Sequence, residues 1–87
     1  MPTVFIYHVV KDKDHWLASS KREEVLGPLG VTNIRLFVDP QNPTRVGGLM
    51  DVPDLDAVMA AMQTEAGAEA MAYDGILAET LVILVEA

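Results

Sequence analysis

The chain has no cysteine, one tryptophan and two histidines. Without cysteine there is no disulfide framework and no thiolate to act as nucleophile or soft-metal ligand. A reducing cytoplasm is the expected compartment. His8 and His15 show neither HxxxH nor HxH spacing, which falls short of a first-row metal site, so no metal is expected. Positive charge is also scarce, with six Lys and Arg against 13 acids and a formal net charge of −7. All six cations lie at or before Arg45, and eight acids follow it. No basic face can be built from that distribution, so neither nucleic acid nor an anionic membrane surface is an expected partner. The acidity reads as a contribution to solubility. No apolar run approaches the roughly 18 residues needed to span a bilayer, and the start of the chain lacks the pattern of a signal peptide. Phosphate loops, nucleophile elbows, internal repeats and low-complexity tracts are missing as well.

What is abundant is apolar material. Hydrophobic residues make up 51% of the 87 residues, above the usual range of about 45–50%. A chain of this length forms one domain, residues 1–87, and buries only roughly 60–65% of its unfolded surface. That leaves more apolar surface than one compact copy hides easily, so a homodimer is expected.

Two apolar strands frame the sequence. Val4 to Val10, within a strand over about Thr3 to Val10, is rich in β-branched and aromatic residues. Period two places Val4, Ile6, His8 and Val10 on one face and Phe5, Tyr7 and Val9 on the other. A helix is predicted from Asp12 or Asp14 to Leu26, stopped by GPLG at Gly27 to Gly30. A second strand covers Val31 to Val38, with Ile34, Leu36 and Val38 opposite Asn33, Arg35 and Phe37. Asp39 to Pro43 reads as a hairpin loop, leading to a third strand from about Arg45 to Val52. Gly47 and Gly48 in that strand mark a bulge or a close backbone approach. Pro53 or Asp54 starts the clearest helix, with Leu55, Val58, Met59 and Met62 at helical spacing. Thr64 and Glu65 open another helical segment towards Tyr73, which Asp74-Gly75 ends. A fourth strand, about Ala78 to Glu86, alternates Leu81, Ile83 and Val85 with Thr80, Val82 and Leu84. The order β-α-β-β-α-β is the ferredoxin-like plan, an α+β fold with four antiparallel strands and both helices on one face. Strands that are apolar on both sides then call for a second sheet packed on the bare face.

The segments HVVKDKDHW, Gly30-Val31, VPDLDAVMAAM and AMAYDGI resemble those of small bacterial proteins of the dimeric α/β-barrel superfamily. This superfamily includes the antibiotic-biosynthesis-monooxygenase-like proteins. The resemblance covers nearly the whole chain. It implies a ferredoxin-like protomer whose sheet pairs with its twin to form a barrel across a homodimer. In enzymatic members a small organic or aromatic substrate, or haem, occupies a cavity between sheet and helices. His8 sits in the H-x-V-x-D-x-D-x-W pattern of the group.

His8 is the foremost catalytic candidate, because an imidazole on an apolar strand titrates near neutrality and can act as a general base. The competing reading is a histidine that serves only structure in a partly polar seam. Trp16 either walls a pocket or anchors its helix to the sheet. Tyr73 is placed to line an opening, whereas Tyr7 is expected in the core. Arg35, flanked by Asn33 and Phe37, either binds a carboxylate or phenolate with its planar fork or pairs with a nearby acid. His15 is expected in solvent. Trp16, Arg35, Phe37 and Tyr73 are therefore the expected substrate-binding set around His8. No cofactor is expected; haem would need His8 or Asn33 beside a larger cavity. Two functions fit these residues. One is a cofactor-independent monooxygenase, isomerase or cyclase acting on a small hydrophobic or aromatic substrate. The other is a homodimer that binds a small molecule without turnover or serves only structure.

Overall fold

The computed structural model describes residues 2–87. Four strands, β1 (Thr3–Val10), β2 (Thr32–Val38), β3 (Arg45–Asp51) and β4 (Ile76–Val85), form one antiparallel sheet in the order β2-β3-β1-β4. The first and last strands of the chain thus pair side by side, as their shared apolar character predicts. Four short helices fill the two crossovers: α1 (Lys13–Ala18), α2 (Lys21–Leu26), α3 (Leu55–Met62) and α4 (Glu65–Tyr73). The fold is ferredoxin-like α+β, and the sheet of the single chain is open.

The first helical region departs from its expected form. It is two helices rather than one, broken at Ser19-Ser20. The Ser19 hydroxyl accepts from the Lys21 amide at 3.1 Å, and the Ser20 hydroxyl donates to Glu24 at 3.2 Å. Such local side-chain bonds compete with the helical ladder, which is why paired serines end a helix here. Asp12 caps α1 as expected, accepting from the amides of Asp14 and His15, and Asp54 and Thr64 cap α3 and α4. Gly27–Leu29 closes α2 as a single 3₁₀ turn.

The helix-covered face carries the core. Val4, Val52 and Val58 are fully buried with Val31 and Met50 at one end, and Val10, Trp16 and Val46 are buried at the other. Between α3 and α4 the packing is close because residue 67 is glycine. A methyl group there would collide with the carbonyl of Ala61.

The opposite face bears no helix. Phe5, Tyr7, Leu49, Phe37, Val82 and Leu84 occupy it, as the strand registers require. Tyr7 is therefore half-buried on this bare face and not in the core. The Phe5 ring lies over Gly47, where a Cβ would stand 2.7 Å from it. This is the close approach that glycine in the third strand implies, and β3 pairs with β1 there without a bulge. Irregularities lie elsewhere, between Thr32 and Arg35 of β2 and in β4. Register jumps between Tyr7↔Val82 and Val9↔Leu77, so extra residues of β4 bow out opposite His8. Thr80 repairs the gap: its hydroxyl accepts from the Val9 amide at 2.9 Å and donates to the Leu77 carbonyl at 2.6 Å. No helix among the described residues is long and apolar enough to cross a membrane.

Candidate functional site

His8 points to the helix side of the sheet, as strand alternation dictates, and is 5% exposed. Its ring meets the Trp16 indole edge to face, with centroids 5.7 Å apart and planes at 82°. Trp16 is held from the other side by Arg22, whose guanidinium carbon lies 4.8 Å from the indole centroid. The break after α1 leaves the Ser19 carbonyl with no backbone donor among the described residues and the Trp16 carbonyl with only the Ser19 amide, at 3.3 Å. Arg22 collects both, donating to Trp16 O and to Ser19 O, the latter at 3.1 Å. A helix interruption written by two serines thereby fixes an arginine over the tryptophan.

These residues wall a cavity of about 110 Å³ between sheet and helices. Its lining is largely aliphatic, including Ile6, Leu36, Met50, Val58 and Met71. A cavity of this size is several times what one water needs and somewhat below the roughly 150 Å³ of an engineered pocket that takes benzene. Asp74, the residue that ends α4, also faces it and is only 4% exposed.

Two buried polar atoms in this lining have no hydrogen-bond partner among the described residues: His8 Nδ1 and Asp74 Oδ1. Each such group carries a desolvation cost of about 1–3 kcal/mol, more for a charged one. Burial is also the main reason why the His8 pKa is pushed below the ordinary value of 6.5. The Val9 backbone opposes that shift, the Arg22 charge adds to it, and the Asp74 carboxylate opposes it. The outcome is a neutral imidazole at pH 7, able to accept a proton inside an apolar pocket.

The five residues expected around one site are divided by the structure. His8 and Trp16 are brought together. Arg35 and Phe37 lie on β2, on the helix-free face of the sheet, where Phe37 is 46% exposed and packs edge-on against Phe5 with centroids 5.9 Å apart. Arg35 is exposed and makes no ion pair among the described residues. Tyr73 is 55% exposed on the outside of α4. Its ring is flanked by His15, at 4.9 Å between centroids, and by the Lys21 ammonium at 5.3 Å. His15, expected free in solvent, is exposed but sits 2.8 Å from the Tyr73 carbonyl through Nε2.

Arg22 and Asp74 were not singled out by sequence. Asp74 read as a helix stop, and Arg22 as one of six cations. Asp74-Gly75 offers the only local hint, because an acid directly after a long helical segment need not face water. A haem does not fit these residues: the cavity beside His8 is far smaller than a tetrapyrrole, and Asn33 lies exposed away from it, bonded to Asp51 at 3.4 Å. No cluster of three or more His, Asp or Glu among the described residues could hold a metal ion.

Solved structures with this architecture are numerous. A candidate antibiotic biosynthesis monooxygenase from Bordetella bronchiseptica is similar over 99% of this chain and 94% of its own, with a TM-score of 0.72 and 16% identity. Another from Nitrosomonas europaea is similar over 100% and 97%, with a TM-score of 0.65 and 14% identity. A conserved protein from Methanosarcina mazei is similar over 98% and 89%, with a TM-score of 0.63 and 17% identity. At these identities the likeness establishes a shared ferredoxin-like fold. No family model matches the sequence, and no curated protein matches it.

Proposed function

We propose that this chain is a cytoplasmic, monooxygenase-like enzyme acting without a bound cofactor on a small hydrophobic or aromatic substrate, with His8 as its base. The observation that carries the reading is the cavity itself: an apolar space beside a neutral, buried imidazole whose Nδ1 has no partner among the described residues. A pocket with few polar groups among aliphatic walls is the usual form of a small-ligand site. His8 would take a proton from an acidic C–H or O–H of the substrate and leave an electron-rich centre facing molecular oxygen. A C–O bond then forms and the O–O bond breaks. One oxygen stays on carbon as a carbonyl and the other leaves as water with two hydrogens of the substrate, both from a CH₂ in a ketone, or one from the O–H and one from a ring C–H in a phenol. The substrate itself thus supplies both electrons that reduce the second oxygen atom. Trp16 and Arg22 hold the imidazole and wall the pocket.

The reading includes a homodimer closed over the bare sheet face. Phe5, Phe37, Leu49 and Leu84 there form an apolar surface of the kind that soluble chains cover. Oxygen uptake with a panel of single-ring phenols and enolisable ketones tests the chemistry. A general base contributes typically 10²–10⁴-fold, so His8→Ala is expected to lose about that factor. Turnover of the same substrate by His8→Ala at the wild-type rate would overturn the proposal.

A further inference from the structure

We infer that the cavity selects an uncharged, single-ring ligand bearing a hydroxyl group, and that Asp74 is the residue that recognises it. This deepens the reading above and rests on the same cavity being a ligand site. Asp74 contributes an acceptor-only group, buried among aliphatic side chains and lacking a donor at Oδ1. His8 Nδ1, on the same cavity wall, also lacks a partner.

A neutral imidazole nitrogen is either donor or acceptor depending on tautomer. A hydroxyl group is both at once. In the tautomer with Nδ1 protonated it donates to the Asp74 carboxylate while accepting from His8; in the tautomer with Nδ1 free, the one that acts as base, a ligand with two hydroxyls donates to each. An ammonium would donate to the carboxylate, but it would be brought up against the Lys21 and Arg22 cations that line the same cavity. A carboxylate would be held against the Asp74 charge, and the two cations of the lining are already engaged, Arg22 with Trp16 O, Ser19 O and Glu23, and Lys21 with Glu24 and the Tyr73 ring. A purely apolar ligand would leave both polar atoms orphaned. The cavity volume of about 110 Å³ limits the remainder to about one ring.

The test compares phenol, benzene and benzoate as ligands of the wild-type protein, by calorimetry and by the shift of the indole N–H resonance of Trp16. Trp16 is the single tryptophan of the chain and lines the cavity, so its signal reports the site directly. Phenol is expected to bind at least about tenfold more tightly than benzene, the factor that a hydrogen bond to a charged acceptor supplies. Benzoate should bind more weakly than phenol. In Asp74→Ala the preference for phenol over benzene should shrink to within about twofold; in Asp74→Asn, which keeps an acceptor oxygen and the side-chain shape, it should be intermediate. If the alanine variant does not fold, the asparagine variant decides the matter. Equal binding of phenol and benzene, tighter binding of benzoate, no phenol binding, or an unchanged preference in the variants would each overturn the inference. None of these measurements reads turnover. A phenol preference without oxygen uptake would therefore remove only the catalytic reading, and oxygen uptake without that preference would remove only the ligand class.

Discussion

His8 and Trp16 come from adjacent elements, a strand and the helix that follows it, and meet edge to face at 5.7 Å. Asp74, 66 positions further along the chain than His8, lines the same cavity. That short local pairing and that long-range one make the candidate site.

The His8 pKa lies below 6.5 in the folded protein because burial disfavours the imidazolium. As pH falls below 6.5 the unfolded chain binds a proton first, so stability is complete above that value and declines towards the folded-state pKa. Urea midpoints should therefore fall between pH 7.5 and pH 5, and His8→Gln should show a smaller fall. His15 is present in both proteins. An equal decline in the variant would show that His8 is not the group responsible.

Arg22 serves two purposes that lysine cannot reproduce, a fork for two carbonyls and a flat cation on Trp16. Arg22→Lys should lose most of what Arg22→Ala loses, about 1–3 kcal/mol in denaturant unfolding. Because the Arg22 charge helps to lower the His8 pKa, an NMR titration of Arg22→Ala should show His8 titrating at higher pH than in the wild type.

Gly67→Ala places a methyl group against the Ala61 carbonyl, on backbone that cannot swing aside. Overpacking of this kind costs about 1–3 kcal/mol, which for a domain of this size lowers Tm by on the order of 10 °C. Calorimetric melting measures it. A Tm within about 2 °C of wild type would mean that α3 and α4 separate freely.

The homodimer proposal makes a prediction on the other face of the sheet. Wild-type protein should sediment at twice the 9.5 kDa chain mass, and Phe37→Asp should shift it towards the single-chain mass with its secondary structure retained. A wild type that sediments as one chain at micromolar concentration would rule out the dimer.

The strands, their two faces and the capped helices α3 and α4 were legible in the sequence because period two and period 3.6 are local properties. The same alternation grouped His8 with Val4, Ile6 and Val10, while the choice of that face for helix packing was made only in three dimensions. Helix α1 ended early because Ser19 and Ser20 bonded to nearby groups, a competition that apolar spacing does not display. Tyr73 and Asp74 exchanged expected places. Successive helical residues point about 100° apart, and only packing against the sheet decides which of two neighbours faces inward.

The amino-acid sequence by itself determined the order of elements, the apolar second face and the absence of thiolate and strongly basic surfaces. Those depend on composition and on near neighbours along the chain. Tertiary structure alone decided that Arg22 would cover Trp16, that Asp74 would join His8 at one cavity, and that Arg35 and Phe37 would be carried to the far side of the sheet. Each of those outcomes depends on strand register and helix docking between residues distant in sequence. Periodicity orients a side chain but does not choose what it will meet.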